Sequence, residues 1–350
     1  MSLESDYNKK HAKAVEKYLQ QIRQKYLQVI KVVSKMGSKA DLNAGNAFFF
    51  KNNDNINKQI NNLLEGLYSN VSQITVSGIN SQWDLAVEKN NEVAKIAFGK
   101  SLAELPAQFK NKYLSGTDTA RKAFFDRKVG GLGLSDRIWK NTQQFKHELE
   151  MALEVGINNG QSAQQLAKSI QQYLVDPNKL FRRVRDINGE LRLSKAAKAY
   201  NPGQGKYRSS YKNAMRLTRN EINFSYEKAN TEKRKKMDFI VGVRIETSPS
   251  HNPTDDKGGI SCSSLQGNYP ADFDFTYKWH VNCKCVSFNI LKTREELAED
   301  TKKMLKGGEP NTPSVNEVYV TPENYNQFLQ ENHDKFSRYK TYPRTFQLNK

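Results

Sequence analysis

All three cysteines of this chain fall in one short stretch near its C-terminal end, together with a histidine. Cys262 stands alone, whereas Cys283 and Cys285 flank a single residue and closely follow His280. Thiolates and imidazole are the ligands that Zn²⁺ prefers, and a turn with two cysteines can close a tetrahedral site with a donor from a distant loop. The pattern is more typical of a metal knuckle than of a disulfide framework. We therefore predict a structural Zn²⁺ site made by Cys262, His280, Cys283 and Cys285.

The identity of the fourth ligand is left open by the sequence alone. His280 is the nearest candidate, but His251 is an alternative ligand in the polar loop 248–256, and Asp255 or Asp256 could supply an oxygen instead. The last two cysteines are separated by one residue, whereas ordinary zinc fingers use a gap of two to four. Without a metal, the cysteines would act as small hydrophobic residues packed in a β-rich subdomain.

The positive charge of the chain is concentrated in one region. The net charge is +18, and residues 179–236 hold 17 Lys or Arg against five acids. Basic side chains neutralise phosphates and the interleaved tyrosines can stack on bases, so nucleic acid is the natural polyanionic partner. Without a base-reading motif, the contact with double-stranded DNA would be non-specific. The predicted contacts are Arg182, Arg183, Arg185, Lys206, Arg208, Lys233, Arg234, Lys235 and Lys236. The alternative is a solvated helix face and loop without a specific partner.

The composition predicts a protein without a membrane span. The mean hydropathy is −0.79, and no run of about 18 apolar residues is present. The N-terminus is polar and charged, unlike a secretory signal. We expect the chain to stay in the cytoplasm of the cell that makes it.

Helical periodicity dominates the N-terminal half of the chain. Apolar residues recur every three or four positions between 15 and 33 and again between 56 and 71, and a third, less regular segment covers 83–96. Ser162 with Gln165 and Thr293 with Glu296 form capping boxes that open two further helices. The first stripe consists of Val15, Leu19, Ile22, Tyr26, Val29 and Val33.

Two segments alternate as strands do, at residues 239–247 and 286–290. Two strands alone are marginally stable in water, so a metal or a helix packed across them is needed. The predicted fold class is α+β, mainly α-helical, with a small β-containing, zinc-stapled C-terminal subdomain. We predict an N-terminal helical region at 1–128, a central domain at 129–290 with a basic loop at 179–210 and a Cys/His knuckle at 248–290, and a C-terminal helical tail at 291–350.

The order of these segments carries a family resemblance. It consists of a capped helix at 160–174, the sequence Arg-Leu-Thr-Arg-Asn-Glu at 216–221, the strand at 242–246, Cys-Ser-Ser-Leu-Gln-Gly at 262–267, and Trp-His-Val-Asn-Cys-Lys-Cys at 279–285. This order resembles the phage Mu F-like minor head proteins, also called head morphogenesis proteins, which are related to the minor head protein of phage SPP1. The resemblance covers roughly residues 130 to 290, and the tail between 321 and 343 is also similar.

The resemblance implies a structural minor capsid protein of a tailed bacteriophage without catalytic residues. Such a protein would lie inside the virion head near the portal, after assembly in the host cytoplasm. It would contact the portal protein and the major capsid protein, assist head assembly, and contact the packaged DNA during packaging or ejection. Family members typically have a second cysteine in the first half of the knuckle, where this chain has Cys262 alone; Val281 and Lys284 replace the usual proline and arginine.

A metal-dependent nuclease is the alternative function. His251 with Asn252 and His280 could form an HNH-like set, in which a histidine activates water and a divalent ion stabilises the phosphorane. Cysteines at the same place favour a closed, inert metal shell instead.

Overall fold

The computed structural model describes residues 2–37, 49–175, 183–185, 188–193, 209–249, 251, 261–337 and 344–349. The predicted fold class is confirmed: the chain is mainly helical with a small antiparallel sheet. The helices are α1 (Leu3–Gly37), α2 (Asp54–Phe98), α3 (Ser101–Glu104), α4 (Ala107–Leu114), α5 (Asp118–Asp126), α6 (Leu134–Asn158), α7 (Ala163–Val175), α8 (Ser210–Arg234), α9 (Arg294–Leu305), α10 (Glu323–Ser337) and α11 (Arg344–Leu348). The strands are β1 (Arg183–Arg185), β2 (Leu191–Leu193), β3 (Ile240–Glu246), β4 (Gly267–Tyr269) and β5 (Val286–Leu291).

The first two helices follow the apolar periodicity, with one correction. All six stripe residues of α1 are buried, and the helix ends at Gly37 as predicted. The second and third predicted segments, by contrast, are one continuous helix of 45 residues, α2. Thr75 and Gln82 are buried like their apolar neighbours on the helix. Because both residues are polar, they interrupt the apolar pattern, and the sequence therefore suggested a break in the helix. Ile96, assigned to the third apolar segment, is exposed.

The chain divides into two compact units, neither of which is a continuous segment. The sheet unit consists of Met1–Val15, Gly78–Asp126 and Asn220–Lys350, and the helical unit consists of Glu16–Ser77 and Arg127–Arg219. The segments predicted from the sequence, 1–128, 129–290 and 291–350, are consecutive, whereas α1, α2 and α8 each contribute residues to both units. Among the described residues, no helix is long and apolar enough to cross a lipid bilayer.

The helical unit has an apolar core drawn from α1, α2, α6 and α7, where the side chains recur at helical spacing. The predicted capping box opens α7, because the Gln165 amide N–H donates to Ser162 Oγ and the Ser162 N–H donates to Gln165 Oε1. Within the predicted basic loop, β1 pairs antiparallel with β2. The core includes Ile22, Tyr26, Ile60, Leu64, Phe145, Leu149, Leu166 and Ile170.

The sheet unit contains a three-stranded antiparallel sheet in the order β4-β3-β5. The two predicted strands are β3 and β5, and the third, β4, is too short to have a sequence pattern. Ile245 pairs with Gly267 at the start of β4, and Glu246 pairs with Val286 at the start of β5. Both outer strands therefore begin beside the C-terminal end of β3.

Candidate metal centre

The sheet topology brings the three cysteines together. Cys262 precedes the 3-10 turn that leads into β4, and Cys283 and Cys285 immediately precede β5. Since both strands begin at the same end of β3, the loops before them meet there. The three cysteine Sγ atoms lie within 4.8 Å of one another, and all three residues are buried. These residues form what we call the sulfur cluster, and they lie close enough to bind a metal ion.

His280 lies beside the sulfur cluster, with its Nε2 atom towards Cys262. Its Nε2 atom is 2.9 Å from Cys262 Sγ, while Cys262 Sγ is 3.6 Å from Cys283 Sγ. The Nδ1 atom is 2.9 Å from the carbonyl oxygen of Val281, which can only accept a hydrogen bond. Nδ1 therefore carries a hydrogen, and Nε2 is the ring nitrogen that faces the cluster. Metal-binding histidines are commonly oriented through their other nitrogen in this way.

A tight turn holds His280 and Cys283 close together. The Cys283 N–H donates to the His280 carbonyl oxygen at 3.1 Å, and Asn282 has a φ of 65°. Asparagine tolerates this left-handed conformation better than most residues, which suits it to the third position of such a turn. The Asn282 N–H also donates to Asn220 Oδ1 of α8 at 3.0 Å. The turn is therefore fixed both internally and against the long helix.

The three thiols are not electrostatically equivalent. Burial opposes ionisation of Cys283, but hydrogen bonds from Cys262 and Cys285 and the positive charge of Lys278 outweigh it, so the pKa of Cys283 falls well below its usual value. Hydrogen bonding with the other two thiols, together with burial, raises the pKa of Cys285. Cys283 is therefore the first of the two to ionise, and thiolates are the form in which cysteines bind metals.

An aromatic core surrounds the cluster and includes the C-terminal tail. Trp279 stacks on Phe346 of α11 with ring centroids 5.9 Å apart, and Thr345 Oγ1 donates to the Lys278 carbonyl oxygen. Helices α10 and α11 of the region predicted as a tail are packed into the same core as the cysteines, whereas Leu297 and Met304 of α9 belong to a different apolar cluster. This core, which we call the aromatic core, includes Tyr269, Phe273, Phe275, Trp279, Tyr325, Phe328, Phe336 and Phe346.

The donor set fits a metal with soft ligands. Three sulfurs and one imidazole nitrogen match the ligand types of structural zinc sites, and the Nδ1 contact with Val281 leaves Nε2 as the nitrogen that faces the sulfurs. Neither His251 nor His280 is among the residues whose donor atoms all lie within 4.8 Å of one another, but His280 contacts the cluster through Cys262 Sγ. The other candidates in the loop of His251, Asp255 and Asp256, lie outside the described residues. The three cysteines are buried, which favours a closed site over a catalytic one, although His280 beside them is only part-buried.

The structure corrects part of the predicted nucleic-acid surface. Lys233 and Arg234 are buried, so their side chains are not at the surface. Lys233 Nζ donates to the carbonyl oxygens of Tyr113 and Ser115 at the C-terminal end of α4, where a cation is favoured by the helix dipole. Burial, together with the charge of Lys236, lowers the pKa of Lys233 to about 8. The sequence alone could not show that Lys233 and Arg234 are buried, because a run of basic residues does not indicate which side chains point inward.

The remaining predicted basic residues have different positions. Lys235 is half exposed and pairs with Glu232 at 3.2 Å, and Lys236 donates to Ser115 Oγ and to the carbonyl oxygen of Gly116. Arg183 and Arg185 belong to the short strand β1. Three predicted contacts, Arg182, Lys206 and Arg208, lie outside the described residues.

Two charged residues beside the cluster were missed by sequence reasoning. Lys278 is buried and its Nζ donates to the Cys285 carbonyl oxygen. Glu227 of α8 is also buried, 3.3 Å from Lys278 Nζ. The two residues are 51 positions apart, so nothing in the sequence indicates that they pair. The position of Lys278 two residues before His280 is the one feature that could have suggested a role at the cluster.

Comparisons of this chain with protein-family models, with curated proteins and with solved structures found no match.

Proposed function

We propose that this chain is a structural minor capsid protein of a tailed bacteriophage, and that a Zn²⁺ ion held by Cys262, His280, Cys283 and Cys285 fixes its sheet unit. The observation that carries the proposal is the group of three buried sulfurs packed in the aromatic core, with the imidazole of His280 in contact with one of them. Such a site contributes to folding rather than to turnover. The order of sequence motifs supports the assignment to head morphogenesis.

The proposed partners are the portal protein and the major capsid protein, with the chain inside the virion head. DNA contact remains part of the proposal for the basic segment 179–236, with Lys235 and Lys236 among its described surface cations. Contact through backbone phosphates would be independent of sequence and would weaken with salt.

Co-expression with the portal and major capsid proteins of the same phage tests the assembly role. We expect the chain to co-purify with the portal protein and to sediment with assembled heads. The matched control carries Cys283→Ser and Cys285→Ser, which should reduce incorporation because the sheet unit loses its metal. If the chain assembles with neither protein, the head-morphogenesis assignment is wrong.

The nuclease alternative requires a separate measurement. Plasmid DNA incubated with the chain in Mg²⁺, Mn²⁺ or Zn²⁺ should remain intact. Cleavage that is lost in His251→Ala or His280→Ala would instead make the cluster part of an active site. Because His280 Nδ1 donates to the Val281 carbonyl oxygen and Nε2 faces the Cys262 sulfur, the described geometry does not favour a catalytic role for His280.

A further inference from the structure

A short segment of the sheet unit, residues 314–320, carries the most exposed large apolar side chains of the described part of the chain. Val315 is 85% exposed, Tyr319 74% and Val320 75%. Apolar side chains scattered singly over a surface need no explanation, whereas an exposed group of them is typical of an interaction site. These three side chains, which we call the exposed apolar group, therefore mark a place where another molecule could bind.

Hydrogen bonds hold the first half of this segment in place. The Val315 N–H and Ser314 Oγ donate to the carboxylate of Glu296 in α9, at 2.8 and 2.7 Å. Asn316 Nδ2 donates to the carbonyl oxygen of Leu291 at the end of β5, at 2.9 Å. The segment is thus joined to a helix and to the sheet through its backbone and its polar side chains, and the exposed apolar group takes no part in holding it.

Val318 fixes the second half of the segment against β3. Its N–H donates to the Val241 carbonyl oxygen at 3.0 Å. Its side chain packs over Gly242 so closely that a Cβ atom at that glycine would lie 2.8 Å from Val318 Cγ2. Tyr319 and Val320 follow directly and point into solvent. A surface that is already ordered costs less conformational entropy when it binds a partner.

The sequence around the exposed apolar group is acidic, in a chain that is otherwise strongly basic. Residues 307–334, which we call the acidic stretch, contain five Asp or Glu and no Lys or Arg, whereas the whole chain has a net charge of +18. An acidic surface with exposed apolar side chains is complementary to a basic partner. The five acids are all exposed: Glu309, Glu317, Glu323, Glu331 and Asp334.

We propose that the acidic stretch docks on a basic surface of a second copy of this chain. Because each copy carries a net charge of +18, two copies repel each other over most of their surfaces. The acidic stretch replaces this repulsion with attraction, and the exposed apolar group supplies apolar area to bury in the contact. The acidic stretch of one copy meets a different surface of the next, so the contact is heterologous and can join more than two copies. This proposal depends neither on the metal centre nor on the capsid role.

Sedimentation velocity of the full chain over a range of concentrations tests the docking. The chain is first freed of nucleic acid, so that DNA does not bridge the copies. We expect reversible association that weakens as NaCl is raised from about 0.05 M to about 0.5 M, because salt screens the attraction between opposite charges. A chain that stays monomeric at every concentration would overturn the proposal. Association that strengthens with salt would also overturn it, since screening would then be relieving repulsion between the copies.

Substitution of the exposed apolar group locates the contact. Tyr319→Ser with Val320→Ser should raise the dissociation constant by roughly 10-fold or more, as truncation of a central aromatic contact does. The matched control is Ile96→Ser on α2, where the side chain is 65% exposed, and it should leave association unchanged. Glu296 and Val318 are retained in these variants, so their thermal unfolding should match that of the wild type. Equal association of wild type and the double variant would contradict docking through this segment.

A pair of charge reversals separates the local charge from the net charge. Glu317→Lys with Glu323→Lys should remove association at low salt, because the acidic stretch then repels a basic surface. Glu65→Lys with Glu104→Lys makes the same change in net charge at two exposed acids elsewhere, and should reduce association much less. Equal losses in the two double variants would mean that net charge alone controls association, and the proposed docking surface would be wrong.

Discussion

The helical unit and the sheet unit are built on different physical principles. The helical unit is organised around apolar side chains that recur at helical spacing along α1, α2, α6 and α7. The sheet unit has an apolar cluster of its own, but it also buries a sulfur cluster, an aromatic core and a group of charges, with partners distant in sequence. Asn8, for example, donates to the Ser287 carbonyl oxygen, 279 residues away. Apolar packing tolerates substitution gradually, whereas a buried polar or metal-binding set depends on every member.

The largest expected effect comes from removing two cysteines. We expect Cys283→Ser with Cys285→Ser to unfold much of the sheet unit, because metal binding and folding are coupled in structural sites. The helical unit should remain folded. Limited proteolysis followed by mass spectrometry would locate new cleavage sites within residues 261–337. An unchanged cleavage pattern would contradict a metal-stabilised sheet unit.

A matched pair of core substitutions sharpens the comparison. Phe145 in the helical unit and Phe346 in the sheet unit are both fully buried. Each change to alanine should lower the free energy of unfolding by about 3–5 kcal/mol, the usual result for phenylalanine in a core. Only Phe346→Ala should also weaken metal binding, because Phe346 stacks on Trp279 beside His280. Hydrogen exchange resolved by unit, together with metal titration, would detect this difference; equal metal affinities would show that the aromatic core does not support the site.

Acid should destabilise the sheet unit through His11. This ring is stacked on Tyr226, with its nitrogens bonded to Gln82 and Asn223. Burial and the charge of Lys278 lower the pKa of His11 to about 4, against the opposing effect of Glu227. The stability that comes from keeping His11 neutral in the folded state amounts to up to about 3 kcal/mol. It is fully present above the unfolded pKa of about 6.5 and is lost as the pH falls through the folded pKa of about 4.

Denaturant unfolding of wild type and His11→Gln between pH 7 and pH 4 measures this contribution. The difference between the two chains isolates His11 from the acid release of metal, which affects both. The wild type should lose stability more steeply over this range. Parallel pH profiles would show that His11 does not become protonated on unfolding.

The smallest expected effects concern the two capping boxes, one in each unit. Ser162→Ala and Thr293→Ala each remove the side-chain acceptor for a helix N-terminal N–H group. Each substitution should lower the free energy of unfolding by about 1 kcal/mol. The effect should be similar in the two units, because capping is a local interaction. Thermal unfolding would measure both. A much larger effect of Thr293→Ala would mean that α9 is coupled to the metal centre.

The parts of the structure that depend on local periodicity could be predicted from the sequence. The stripe of α1, both capping boxes and the strands β3 and β5 follow from side-chain spacing and were found where expected. The grouping of the three cysteines was also predicted, because all three fall in one short stretch of the sequence. The metal itself stays a prediction.

The parts that depend on distant partners could not be predicted. Lys278 and Glu227 meet across 51 positions, and nothing in either local sequence indicates the pairing. The inward direction of Lys233 depends on where α4 ends against α8. The continuity of α2 was missed because Thr75 and Gln82 interrupt the apolar stripe while still being buried.

Metal content tests most directly whether a metal centre organises the sheet unit. Elemental analysis of the purified chain, prepared without chelators, should find about one zinc per chain, and less in the variant with Cys283→Ser and Cys285→Ser. A wild-type chain that contains no bound metal and gains no protection from proteolysis when Zn²⁺ is added would contradict the metal centre. The three cysteines would then be small buried residues of the aromatic core.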